Sequence, residues 1–199
     1  MEDYFEPSLF SKPFLSAVIV AAGSSVRMGG ENKIFMPVDG IPVIARSLLA
    51  FQNCDDISEI IVVTKEDSVE AIKSAAEEYG ITKLSAVVPG GATRAESVKN
   101  GVLAVSEEAS FVAIHDGARP LVLPEDISRC AHDAFRCGGA VLAVPVTDTI
   151  KYGKKNGFVE YTPAREKLFA AQTPQIFDLT VYRAAMERAF LELSDWTDG

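Results

Sequence analysis

Cysteine, histidine and long apolar runs are all scarce in this chain, and each scarcity removes a class of function. The three cysteines, Cys54, Cys130 and Cys137, are odd in number and spaced in no zinc or redox pattern. Buried thiols in a reducing cytoplasm are the reading that fits them. The two histidines stand alone, so no histidine-rich metal site is expected. The longest apolar run, Ala17 to Ala22, is far too short to span a bilayer, and the acidic, aromatic start MEDYFEPSLFSKPF lacks the pattern of an export signal. Positive charge is also short. A formal net charge of −9 argues against a nucleic-acid or anionic-membrane surface, so any cations that bind an anionic ligand must be local.

What is present is one globular domain's worth of core: 199 residues, 48% hydrophobic and 24% charged. Residues Met1 to Leu15, with Pro7 and Pro13, read as an irregular N-terminal arm, and the domain follows over residues 16–199. Buried strands are expected at Ala17–Ala22, Glu59–Thr64, Leu84–Val88, Phe111–Ile114 and Ala140–Val146, because these runs are apolar without polar alternation. Between them fall helices from Pro42 to about Asn53, Ser68–Tyr79, Thr93–Val105 and Glu125–Arg136. Thr93 and Glu96 form a capping box, and Gly80 and Gly138-Gly139 are stop signals. The alternation predicts an α/β fold with a mainly parallel, Rossmann-like sheet between two helical layers. Ligands of such sheets lie beyond the carboxyl ends of the strands, where the loops holding Gly23, Gly91, Asp116 and Thr149 fall.

The alternation breaks at about residues 148–164. Thr149–Tyr152 and Phe158–Tyr161 flank a glycine-bounded charged tip and read as a hairpin, either a projecting arm packed on a partner subunit or a solvated loop. Leu168–Phe177 returns to the domain. A last helix, Leu179–Leu193, carries Tyr182, Met186, Ala189, Phe190 and Leu193 on its buried face.

The loop after the first strand holds most of the chemistry. Gly23, Gly29 and Gly30 allow close backbone approach, Ser24 and Ser25 add hydroxyls, and Arg27 and Lys33 add charge, a composition suited to phosphate. It is neither a G-x-G-x-x-G fingerprint nor a P-loop. The order Ala22-Gly23-Ser24-Ser25-Val26-Arg27-Met28, then Lys33, resembles the signature of the sugar-phosphate nucleotidyltransferases. Three further blocks, PGGATRAESV, HDGARP with PVTDTIK, and REKLFAAQTPQIF, narrow the resemblance to the 2-C-methyl-D-erythritol 4-phosphate cytidylyltransferase family.

That resemblance implies transfer of CMP from CTP to a polyol phosphate with release of pyrophosphate. It implies that Arg27 and Lys33 are transition-state cations, and that cytosine is read by Ala21, Ala22, Gly91, Ala92 and Ser97, with Gly23 in the nucleotide loop. Asp116 would face Mg2+ or another divalent cation near the triphosphate, directly or through water. Arg119, Thr149, Arg165, Thr173 and Thr197 would contact the methylerythritol phosphate, with Arg165 holding the attacking phosphate. Thr149 and Arg165 are implied to reach the site from the partner's arm in a homodimer. Without the resemblance Ser97 reads as an ordinary helix hydroxyl, Asp116 as a turn residue and Arg165 as a solvated charge.

The sequence departs from the family pattern in three places. Ser25 stands where a second glycine is usual, and Asn32-Lys33-Ile34 where proline-lysine-glutamine is usual. The family also continues past Thr197-Asp198 through a strand and helix bearing a further substrate lysine, so a missing tail after Gly199 is expected. The rival readings are a ribitol 5-phosphate cytidylyltransferase and a catalytically impaired nucleotide-binding subunit.

Overall fold

The computed structural model describes residues 12–23 and 33–192. Among these residues, ten strands and five α-helices follow in chain order: β1 (Leu15–Val20), β2 (Pro37–Val38), β3 (Ile41–Pro42), α1 (Val43–Gln52), β4 (Glu59–Thr64), α2 (Val69–Glu78), β5 (Leu84–Pro89), α3 (Arg94–Leu103), β6 (Phe111–Asp116), α4 (Pro124–Cys137), β7 (Gly139–Pro145), β8 (Tyr152–Gly153), β9 (Val159–Tyr161), β10 (Phe169–Asp178) and α5 (Leu179–Glu192). Six strands form one sheet in the order β5-β4-β1-β6-β10-β7. β1 pairs in parallel with β4 and β6, and β4 with β5. β10 enters between β6 and β7 antiparallel to both.

The sheet divides the core in two. On one face Ala17, Ile19, Ile60 and Val62 pack with Ile44, Leu48 and Phe51 of α1, Ile72 of α2 and Ile127 of α4. On the other Val18, Ile61, Val63 and Ile114 pack with Val98 and Val102 of α3 and with Leu179 and Met186 of α5. Neighbouring strand residues thus serve opposite faces, which is why their sequences show no polar alternation. The capping box is present, with Thr93 Oγ1 accepting from the Glu96 N–H at 3.1 Å and Glu96 Oε2 accepting from the Thr93 N–H at 3.0 Å. Gly80 and Gly138 end their helices at φ +66° and +82°.

The first strand differs from expectation, running Leu15–Val20 and ending before Ala21. Ser16 belongs inside it because its hydroxyl donates to Glu59 Oε1 at 2.5 Å, so a fully buried polar side chain is satisfied. The ladder closes with the Ala21 N–H donating to the Val63 carbonyl at 2.7 Å, leaving Ala21–Gly23 as loop. Ahead of β1, the Phe14 carbonyl accepts from the Ser110 and Phe111 amides, and Lys12 pairs with Asp56 at 2.8 Å. The strand at β6 runs two residues further than predicted, to Asp116, which places His115 and Asp116 on the sheet itself. The hairpin is present as β8 and β9, shorter than expected, with Tyr152 and Tyr161 stacked 4.9 Å apart and both exposed.

Candidate active site

The loops after β1 and β5, the first turn of α3 and the end of β6 surround a cavity of about 600 Å³. Ala21, Ala22, Gly23, Lys33, Gly91, Ala92, Ser97, Asp116 and Arg119 all line it, so residues from three separate sequence blocks share one hollow beyond the strand ends. Its backbone walls are close. A Cβ on Gly90 would lie 2.4 Å from the Ala22 Cβ and 2.8 Å from Ser97 Oγ, and one on Gly91 would lie 2.3 Å from the Glu96 Cβ. Only glycine lets the loop after β5 pack against both the β1 loop and α3. Ser97, nearly buried, donates to the Thr93 carbonyl at 2.9 Å and accepts from the Gly91 N–H at 3.1 Å, which fixes that loop to the helix start.

Asp116 is the electrostatic centre. Its Oδ1 accepts from Arg94 Nη2 at 3.0 Å and Nε at 3.3 Å, and its Oδ2 accepts from Arg119 Nε at 3.0 Å. Burial alone would raise its pKa. The hydrogen bonds from Arg94 and Arg119 outweigh that and hold the carboxyl below the usual carboxylate range. Lys33 opens a 3-10 turn over Lys33–Phe35, anchored by buried Ile34, and its exposed side chain faces the cavity.

A neighbouring hollow of about 550 Å³ is lined by Arg119, Arg129, Val144, Gln172 and Thr173, so Arg119 borders both. Arg119 Nη1 also donates to Gln172 Oε1. Thr173 is nearly buried and meets the ring of His115, which burial pushes down to a pKa of about 4.

Thr149 and Arg165 are not brought to either hollow within one chain. Both are exposed on the segment carrying the hairpin, where Arg165 Nη1 donates to the Thr147 carbonyl at 2.9 Å. Arg27 and Thr197 lie outside the described residues. Arg94 and Gln172 line these hollows and His115 is buried behind Thr173; all three stand in the motif blocks, yet the sequence assigns none of them a site role. The usable signal was position, since Arg94 opens a helix and His115 ends a buried strand, both at the ligand edge.

A mainly parallel sheet whose strand ends carry an amide-rich loop, a lysine and a clamped carboxylate around one cavity defines an α/β protein of the nucleotidyltransferase class. Comparison with known proteins sharpens this. Residues 15–199 match the family described as 2-C-methyl-D-erythritol 4-phosphate cytidylyltransferase. A protein of that name from Dehalococcoides mccartyi is 41% identical over 187 residues, covering 94% of this chain and 82% of its own length. One from Alkaliphilus oremlandii is 44% identical over 164 residues, covering 81% of this chain and 70% of its own. The crystal structure of 4-diphosphocytidyl-2C-methyl-D-erythritol synthase from Anaerococcus prevotii superposes with a TM-score of 0.84 at 30% identity, over 94% of this chain and 79% of that one. That of the cytidylyltransferase from Thermus thermophilus gives 0.72 at 29%, over 93% and 80%. The chain belongs to the 2-C-methyl-D-erythritol 4-phosphate cytidylyltransferase family.

Proposed function

We propose that this chain transfers CMP from CTP to 2-C-methyl-D-erythritol 4-phosphate, forming 4-diphosphocytidyl-2-C-methyl-D-erythritol in isoprenoid precursor synthesis by the non-mevalonate route. The observation that carries the reading, beside family membership, is the cavity in which nine of the expected site residues, drawn from three motif blocks, meet. A phosphate oxygen of the polyol phosphate attacks the α-phosphorus of CTP. The bond from that phosphorus to the bridging oxygen breaks, and pyrophosphate leaves with the bonding pair. No proton transfer is needed, so catalysis is positioning and charge neutralisation. Lys33 from the cavity wall and Arg27 are the cations assigned to the α-phosphate in the transition state. The small residues Ala21, Ala22, Gly23, Gly91 and Ala92, with Ser97, admit cytosine against the main chain. Because Ser97 directs its hydrogen to Thr93, its oxygen is left to accept, which suits the cytosine amino group.

The second hollow is assigned to the methylerythritol phosphate, with Arg119 and Thr173 as contacts. Arg165 would hold the attacking phosphate, with Thr149 and Thr197 as further contacts. Thr149 and Arg165 would serve the partner's site in a homodimer. In support, Tyr152, Phe158, Val159, Tyr161 and Phe169 are each more than half exposed, an apolar surface suited to a second copy of the chain.

For Mg2+ the donor chemistry fits. Asp116 is an ionised hard-oxygen ligand whose carboxylate keeps lone pairs beyond those given to the two arginines. Among the described residues no group of three or more His, Cys, Asp or Glu is gathered, so the ion would be held mainly by phosphate oxygens and water, as magnesium prefers. Bound there it would neutralise triphosphate charge. A cytoplasmic location is proposed on the two buried free thiols, Cys54 and Cys130, the latter pushed by burial to a pKa of about 11; Cys137, expected to be buried with them, is exposed. No helix among the described residues is long and apolar enough to cross a membrane.

The test is pyrophosphate release with CTP and Mg2+, offering methylerythritol phosphate and ribitol 5-phosphate in parallel. Turnover with the first is expected. Turnover with only ribitol 5-phosphate would move the assignment to that cytidylyltransferase, and CTP binding without turnover on either would leave a nucleotide-binding subunit.

A further inference from the structure

His115 is fully buried at the end of β6, and none of the chemistry above uses it. Its two ring nitrogens meet different partners. Nε2 lies 3.2 Å from the Arg119 carbonyl oxygen, and Nδ1 lies 2.9 Å from Thr173 Oγ1. A carbonyl can only accept, so Nε2 carries the hydrogen. The neutral ring then leaves Nδ1 bare, and a bare nitrogen accepts, so Thr173 must direct its one hydroxyl hydrogen to it. The same Oγ1 faces the Asp116 N–H, a donor, at 3.3 Å. One of its two lone pairs is therefore occupied. What Thr173 has left for a ligand is a single lone pair and no hydrogen.

We propose that His115 is a positioning residue that makes Thr173 an acceptor-only contact, matched to a hydroxyl of the polyol substrate and not to a phosphate oxygen. This rests on the function proposed above. The geometry has a second effect. Nε2–H fixes the Arg119 carbonyl while the Arg119 N–H donates to the Asp116 carbonyl at 2.9 Å, so the turn carrying both charged residues is tied to the ring. Arg119 and Gln172, one residue before Thr173, remain paired at the rim of the second hollow. His115 thereby joins the end of β6 to β10 at the point where both substrates are expected to meet. A purely packing role, suggested by the Phe51 ring 4.9 Å away, would leave the polarity of Thr173 unset.

Two measurements decide it. In the parent chain without substrates, 15N NMR of the His115 ring is expected to show Nε2 protonated and Nδ1 bare. The opposite tautomer, or a doubly protonated ring at neutral pH, overturns the proposal. In steady-state kinetics, His115→Phe and Thr173→Val are each expected to raise KM for methylerythritol phosphate about tenfold or more, with a clearly smaller change in KM for CTP. The double variant should be no worse than either single, since both act through one hydroxyl. Thr173→Ser should retain the parental KM. Equal shifts in both KM values, or full multiplication in the double variant, overturn it. Should His115→Phe fail to fold, the NMR result and the contrast of Thr173→Val with Thr173→Ser carry the decision. A parent chain that turns over no polyol phosphate sinks the functional reading and the polyol partner with it, whereas a working parent with an unmoved KM in His115→Phe sinks only this inference.

Discussion

Mild acid should weaken this fold before its carboxylates titrate, and His115 supplies the magnitude. The ring is fully buried, touches no carboxylate directly, and is held neutral with a pKa of about 4 against 6.5 for an ordinary histidine. Because the folded value is the lower one, the unfolded chain binds the proton first, and stability falls as pH drops below the unfolded value. The slope is positive in pH and vanishes above about pH 8, where neither state is protonated. Integrating the two titrations gives a loss of about 2 kcal/mol between about pH 8 and about pH 5, approaching about 3 kcal/mol once pH falls below about 4. Against a total stability of about 5–15 kcal/mol this is readily measured. The assay is urea unfolding of the parent chain and His115→Phe at both pH values, comparing each protein with itself. The parent should lose about 2 kcal/mol more than the variant over that interval, whatever the variant's absolute stability. Equal losses in the two proteins would refute the assignment of a buried neutral ring. Asp116 acts at lower pH. Its depressed pKa contributes stability that is present above the unfolded carboxylate value and is lost as pH falls through the folded one, so it leaves this window largely undisturbed.

Lys33→Ala should keep the melting temperature and CTP affinity but lower turnover by about a hundredfold or more, and unchanged turnover in pyrophosphate release would remove Lys33 from the chemistry. Gly90→Ala should drive the β5 loop from Ala22 and Ser97, weakening CTP binding in a calorimetric titration and destabilising the fold by about 1–3 kcal/mol. An unaltered CTP affinity would show that this packing does not shape the base site. Phe158→Glu places a charge on a side chain 72% exposed, so it should spare the folded chain while shifting the mass seen in sedimentation from that of the proposed dimer to that of a monomer. A persistent dimer would exclude the hairpin as its interface.

The parts of the molecule legible in the sequence are those specified by local chemistry. Glu59–Thr64 reads as a strand covered on both faces, and every residue of it is buried. The Thr93–Glu96 box states where α3 begins, and of the four positions named for the ligand edge Gly23, Gly91 and Asp116 share one cavity while Thr149 does not. What escaped depends on partners distant in sequence. The apolar run Ala17–Ala22 leaves out Ser16, whose place inside the buried strand depends on Glu59, 43 residues away. The antiparallel entry of β10 is set by its register with β6 and β7, which no local pattern encodes. Arg94 and Asp116 are 22 residues apart and Thr173 and His115 are 58 apart, so neither pair is visible before the chain is folded.

The carboxylate shared by Arg94 and Arg119 also constrains the order in which this site can evolve. Loss of Asp116 first would leave two guanidinium groups in a part-buried hollow without the carboxylate between them, an arrangement selection would act against through both stability and binding. Loss of either arginine first leaves the remaining pair intact, since each holds a different oxygen. Descendants of this sequence that abandon the clamp should therefore be found having replaced an arginine before the aspartate, and lineages retaining both arginines should retain Asp116 as well.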